Sequence, residues 1–200
     1  MRKLKGLFCL LLALLLMLPG YGMAMQAGAV SPEKWEDVTS SYGKAAKETA
    51  VTVAVNPVTG NQALCLSVAF DKESWWCDAA VLKTVGSTAF HKMDSIAYDV
   101  YFAPKEGTGT TGSVKMQTCL NTPSWYQVAD GELAEIAMKP EGANAHVVQH
   151  FAGAAIHSQL VLVAAGAATD FAGDIYFENI MINPIAEVAA ELPPVEEKLW

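Results

Sequence analysis

Hydrophobic and polar positions alternate with a period of two along much of this chain. Leu64, Leu66, Val68 and Phe70 interleave with Ala63, Cys65, Ser67 and Ala69, so one side of a strand meets a core and the other does not. Ile96, Tyr98, Val100 and Phe102 repeat the device, and Pro104 closes that strand. Val114, Met116, Thr118 and Leu120 alternate with Lys115, Gln117, Cys119 and Asn121. Thr49, Val51, Val53 and Val55 run into the turn cluster Asn56-Pro-Val-Thr-Gly-Asn. Further strands are expected over Leu133 to Met138, His146 to Phe151, Leu160 to Ala165 and Ile175 to Ile182. Val30 to Tyr42 reads equally as a helical turn opened by Ser31-Pro32-Glu33 or as a short strand around Trp35 to Val38. Outside the first residues no long segment has a convincing 3.6 period. Eight or nine strands parted by Gly, Pro and Asn loops predict an all-β fold, an antiparallel β-sandwich or jelly roll.

The amino terminus follows another pattern. Met1-Arg-Lys-Leu-Lys precedes an apolar run from Leu7 to Leu18 and then Pro19-Gly-Tyr-Gly-Met-Ala. Basic, apolar and small-residue segments in that order predict a secretory signal peptide over residues 1–24, with a second cleavage choice after Ala29. The apolar run is too short to span a bilayer comfortably. Cys9 comes too early for a lipobox. The expected product is a secreted chain with one domain over 30–183 and an acidic, proline-bearing tail or linker over 184–200.

Charge narrows the partners. Losing Arg2, Lys3 and Lys5 with no acid moves the formal charge from −8 to −11. Arg2 is the only arginine, so the remaining chain lacks the bidentate fork that reads phosphate or guanine. Its acidic field repels polyanions, which excludes nucleic acid and anionic membranes and leaves a neutral polymer unpenalised. Cys65, Cys77 and Cys119 remain after Cys9 leaves; export permits one disulfide among three pairings, or three unpaired thiols.

Trp75 and Trp76 stand side by side in Asp71-Lys-Glu-Ser-Trp-Trp-Cys-Asp, and Trp125 lies in a second polar setting, Asn121-Thr-Pro-Ser-Trp-Tyr. Adjacent strand residues point to opposite faces, so one indole of the pair is expected in the core and the other on the surface. Flat rings at two loop edges suit a pyranose, whose axial C–H face packs on an indole while its hydroxyls seek amides and carboxylates. Buried or half-buried rings are the competing expectation.

Other chemistry is weaker. His146 and His150 share a strand face and could meet Asp170 or Asp174 at a metal, but no metal-binding spacing supports it. Gly-x-Ser-x-Gly is absent, and Glu106 to Ser113 lacks the Gly-Lys-[Ser/Thr] ending of a phosphate loop. Carboxylates at Glu73, Asp78, Asp94, Asp99, Glu132, Glu135 and Glu178 could supply a glycosidase pair, yet a sandwich this small has few long loops to build a cleft. No catalytic residue is assigned. Glu36 and Glu178 interrupt apolar strands near opposite ends of the domain and could clamp the termini through calcium; a surface acid or a buried hydrogen-bonded one is the alternative for each.

Taken in order, these signatures resemble secreted carbohydrate-binding modules of the galactose-binding-like jelly-roll superfamily, most closely the mannan-binding family 27 modules. The points of similarity are Trp35-Glu36-Asp37; Gly60-Asn61-Gln62-Ala63-Leu64-Cys65-Leu66; Trp75 or Trp76; Ser95 to Pro104; Ser124-Trp125; and Phe171-Ala-Gly-Asp-Ile-Tyr-Phe-Glu-Asn-Ile. The resemblance implies a non-catalytic, monomeric module that binds β-mannan or glucomannan, often attached to a mannanase, with structural calcium. By position, Trp75 or Trp76 and Trp125 look like the stacking platforms, and Trp35 like a third. Glu178 falls where the family pattern carries Asp. Without arginine, hydroxyl contacts fall to Lys, Asn, Gln or acids, with Gln117, Asn121 and Gln127 nearest. The rival expectations are a fragment of a β-mannanase and a cell-surface interaction protein.

Overall fold

The computed structural model describes residues 36–38, 44–84, 95–121, 127–151 and 159–182. These contain strands and no helix: β1 Glu36–Val38, β2 Lys44–Ala45, β3 Lys47–Val55, β4 Gln62–Ala69, β5 Cys77–Thr84, β6 Ser95–Pro104, β7 Ser113–Asn121, β8 Gln127–Asp130, β9 Ala134–Ala137, β10 Ala143–His150, β11 Gln159–Ala167 and β12 Ala172–Ile182. One sheet runs β1-β5-β11-β7-β8, with β2 beside β5 and β9 beside β7; the other runs β10-β6-β12-β4-β3. Pairing is antiparallel except for the two-residue bridge of β2 to β5. We call the first the tryptophan sheet, because Trp75 and Trp76 lead into β5, and the second the tyrosine sheet, after Tyr101 and Tyr176.

The expected alternation decides what lies between the sheets. Leu64, Leu66, Val68, Ile96, Tyr98, Val100, Phe102, Ile175 and Phe177 from the tyrosine sheet meet Cys77, Ala79, Val81, Val114, Met116, Leu120, Leu160 and Leu162 from the tryptophan sheet in one buried cluster. Phe171 plugs one end, edge-on to Phe102 at 5.7 Å between centroids and tilted against Phe70 at 6.2 Å. At roughly 25 cal/mol per Å² of apolar surface removed from water, this layer is the main favourable contribution to folding.

The structure differs from the sequence expectation in several places. Glu36–Val38, the described part of the open first segment, is strand. β5 and β8 were not anticipated: β5 is built on Cys-Asp-Ala-Ala, small residues of weak β preference, and β8 has four residues. β5 nonetheless sits beside the fully buried β11 and is fixed there by eight register pairs. All three described cysteines are buried, and none is in a disulfide. They cannot meet, because Cys65 lies on the outer side of the tyrosine sheet, Cys77 in the core and Cys119 on the outer side of the tryptophan sheet. Burial first, and then the Asp174 carboxylate, push the Cys65 thiol up. The signal peptide, the 184–200 tail, Trp35, His91, Trp125 and His157 lie outside the described residues.

Candidate functional site

Both sheets turn polar groups outward, and the two outer sides do different things. On the tyrosine sheet several polar groups bind one another, while the Asn144 amide and His146 Nε2 are buried without a partner. Glu178, opposite Asp99 in the register, accepts from Asn56 Nδ2 at 2.7 Å, Thr59 Oγ1 at 2.5 Å and Asn61 Nδ2 at 3.2 Å. The donors come from the Asn56-to-Asn61 turn, closed by Asn56 N–H to the Asn61 carbonyl and by Val58 N–H to Asn56 Oδ1, with Gly60 at φ 76°. Asp99 accepts from Asn179 Nδ2 at 2.6 Å and pairs with His146 Nδ1 at 2.7 Å. Tyr101 and Tyr176 are register partners in this layer, and Ser67 donates to Asp174 at 2.6 Å. Burial first, then the Asp99 and Glu178 carboxylates, push Tyr101 up to about 12. For Tyr176, burial and then Cys65 and Asp174 push the phenol up to about 12.

These contacts bear on the expected metal ligands. Glu36 pairs with Leu82 in the tryptophan sheet and Glu178 with Asp99 in the tyrosine sheet, so the two are not brought together. A calcium ion at Glu178 would need oxygens turned toward it, whereas both carboxylate oxygens receive amide or hydroxyl donors, and Asn56 Oδ1 is engaged by its own turn. Glu36 and Glu178 therefore do not make a shared calcium site in this arrangement. Among the described residues there is no group of three or more His, Cys, Asp or Glu placed to hold a metal. His146 and His150 do share the outer side, but Asp170 instead accepts from the Thr110 and Thr111 backbone and the Thr110 hydroxyl.

The tryptophan sheet is organised around an exposed ring. Trp75 keeps 73% of its surface open to water, far more than any other large apolar side chain described. A turn delivers it: Ser74 N–H binds the Asp71 carbonyl, Glu73 N–H binds Asp71 Oδ1, and Ser74 Oγ holds the Trp76 carbonyl. Both rings thus precede β5, and the strand alternation expected to send one of them into the core does not apply. That expectation is corrected: Trp76 is half-buried and donates Nε1–H to Asp78 Oδ2 at 2.9 Å, on the outer side. Trp75 carries the Lys115 ammonium over one face, 4.9 Å from the ring centroid. Asp78 and Lys115 are both register partners of Ala165, so only a methyl group separates them at this level of the sheet.

From that level the outer side continues through Ala80, Val163 and Gln117, then Val161 and Cys119, to Gln159 and Asn121. Six residues of strand make this about 20 Å. The middle is apolar, with Ala80, Cys119, Val161 and Val163 clustered. Gln117 sits within it and donates Nε2–H to Asp130 Oδ2 at 3.2 Å and to the Gly131 carbonyl at 3.1 Å. Asn121, 1% exposed, has no partner for Oδ1 and lies opposite Gln159, whose Oε1 is also unpartnered. Gln127 is the backbone partner of Asn121 on the other side. Glu135, which sequence reasoning had weighed only as a catalytic acid, accepts from Ser113 Oγ at 2.6 Å and lies 3.9 Å from Lys115 Nζ. Lys115 and Asp130 were not anticipated as site residues; the outward half of the β7 alternation was the available signal for Lys115.

Solved structures share this architecture. A family 27 carbohydrate-binding module whose study concerns specific mannan recognition matches with TM-score 0.54 at 22% identity, over 76% of this chain and 91% of that one. A family 28 module specific for non-crystalline cellulose matches with TM-score 0.58 at 16% identity, over 79% and 96%. A family 27 module of Caldicellulosiruptor saccharolyticus, solved with mannohexaose, matches with TM-score 0.53 at 17% identity, over 76% and 91%. No family model matches the sequence, and no curated protein matches it. The chain has the β-sandwich jelly-roll fold of carbohydrate-binding modules.

Proposed function

We propose that this chain is a secreted, non-catalytic module that holds a neutral polysaccharide, β-mannan or glucomannan first, along the outer side of the tryptophan sheet. The observation that carries the reading is Trp75, a large ring 73% exposed at one end of a 12-strand sandwich and held flat by an ammonium on one face. An exposed indole left with one free face is a platform for the C–H face of a sugar. Asn121, opposite Gln159, lies at the far end of the same side. Trp125 and Trp35, which lie outside the described residues, are the further platforms this reading expects.

Binding is favoured over cutting because the carboxylates that lie opposite one another, Asp99 and Glu178, are each held by protein partners on both oxygens, which suits a structural role. The family 27 likenesses are what turn the choice toward mannan. Two or three stacking contacts of about 1 to 3 kcal/mol each, by analogy with aromatic platforms for bases, lead to micromolar affinity. Affinity electrophoresis of the purified chain through galactomannan and through hydroxyethylcellulose tests this: retardation in galactomannan is expected, and its absence in both gels would refute polysaccharide binding.

A further inference from the structure

The hydrogen-bonding groups around the exposed ring are unbalanced, and the imbalance selects a ligand. On the outer side of the tryptophan sheet, the amides of buried Asn121 and Gln159 aside, the described donors are Trp76 Nε1, Ser113 Oγ, Gln117 Nε2 and Lys115 Nζ. The protein uses each of them: Trp76 on Asp78, Ser113 on Glu135, Gln117 on Asp130 and Gly131, and Lys115 on Glu135 and the face of Trp75. Acceptors remain. An ionised carboxyl accepts at about four positions, and Asp130 and Glu135 are both exposed to water while receiving only these bonds. Three further oxygens on this side, Asp78 Oδ1, Asn121 Oδ1 and Gln159 Oε1, are buried without any donor. Glu135 lies 3.9 Å from the Lys115 ammonium, Asp78 shares the register partner Ala165 with Lys115, and Asp130 lies further along the same side, opposite Cys119.

We infer that this side recognises its ligand as a hydrogen-bond donor, accepting uncharged glycans with free hydroxyls and rejecting O-acetylated glycans and uronates. The inference rests on the proposed polysaccharide binding and adds the decoration state of the polymer. A hydroxyl brings the missing hydrogen. An acetyl ester replaces it with further acceptors, and a uronate adds a negative charge to a locally negative surface, so each leaves the protein oxygens without partners.

Isothermal titration of the full chain with mannohexaose, with the same hexamer O-acetylated, and with a mannuronate hexamer tests the claim at low salt. Mannohexaose is expected to bind, the acetylated hexamer at least tenfold more weakly, and the mannuronate more weakly still. Equal affinity for all three would overturn the inference while leaving polysaccharide binding intact; failure of mannohexaose together with the other two would overturn the underlying reading instead. The Asp130→Asn/Glu135→Gln double substitution supplies an independent arm, since both side chains are exposed. It is expected to narrow the ratio of mannohexaose to mannuronate affinity at least fivefold. An unchanged ratio would show that these carboxylates do not set the discrimination.

Discussion

Replacing Trp75 with alanine separates binding from folding more cleanly than any other single change. The ring is 73% exposed and lies against the Lys115 ammonium, so its loss leaves no cavity in the core. A sugar laid on the open face removes roughly 100 Å² of apolar surface counting both partners, which at about 25 cal/mol per Å² is about 2.5 kcal/mol. That lies inside the range of about 1 to 3 kcal/mol per aromatic platform and converts to a loss of roughly fiftyfold in affinity. Stability should move by no more than about 0.5 kcal/mol, as for exposed surface substitutions. Titration calorimetry with mannohexaose reads the first quantity and thermal unfolding the second. If Trp75→Ala binds as tightly as the parent and melts at the same temperature, the exposed ring is not the platform and the tryptophan sheet loses its claim. If affinity falls only in step with a lowered melting temperature, the ring is structural.

Other expectations follow from neighbouring contacts. Trp76→Phe keeps the ring but removes the donor to Asp78, which is fully buried; the orphaned carboxylate should cost about 2 kcal/mol, seen as a lower denaturant midpoint with an unchanged m-value. Glu178→Gln sets an amide N–H against the donors of Asn56, Thr59 or Asn61; at about 1.5 to 3 kcal/mol for hydrogen bonds to a charged group, thermal unfolding should fall by several degrees. Chelator should leave the melting temperature of the parent unchanged, and a marked fall would place a cation at this carboxylate. Tyr101 and Tyr176 are raised from 10.0 to about 12, so the stability tied to their neutral forms is full below pH 10 and lost as pH rises through 12. Absorbance at 295 nm should accordingly show two phenols ionising late, together with loss of structure. Gly173→Ala places a Cβ 2.2 Å from the Ala103 carbonyl oxygen, a backbone clash in the centre of the tyrosine sheet, and soluble yield or melting temperature should drop sharply.

The alternation of Leu64 to Phe70, Ile96 to Phe102 and Val114 to Leu120 was readable because each strand has one wet side, and a period of two then reports burial directly. β11 was legible for a different reason: it is an unbroken apolar run buried on both sides, and the turn residues around it set its limits. β5 was hidden because alanine carries little β preference and packs by virtue of its neighbours. The tryptophan pair was found by residue type, but its geometry was misjudged, since a turn built by Asp71 and Ser74 precedes the strand and removes the opposition of adjacent side chains. Lys115 over Trp75 was beyond reach of the sequence, because forty residues separate them and only the β5-β11-β7 order makes them neighbours.

The two outer sides explain one another. On the tyrosine sheet the carboxylates of Glu178, Asp99 and Asp174 each receive donors from the protein, although the Asn144 amide and His146 Nε2 stay unpartnered. On the tryptophan sheet the same residue types are only half satisfied, and a ring is left open beside them. A carboxylate is expensive to bury without partners, and Asp78, fully buried with a donor on only one of its oxygens, is kept at a cost to the isolated fold. A ligand that supplies hydroxyl donors recovers part of that cost only when bound. Affinity and decoration specificity then have a common origin, and substitutions that satisfy the carboxylates internally should stabilise the free domain while weakening its hold on the polymer.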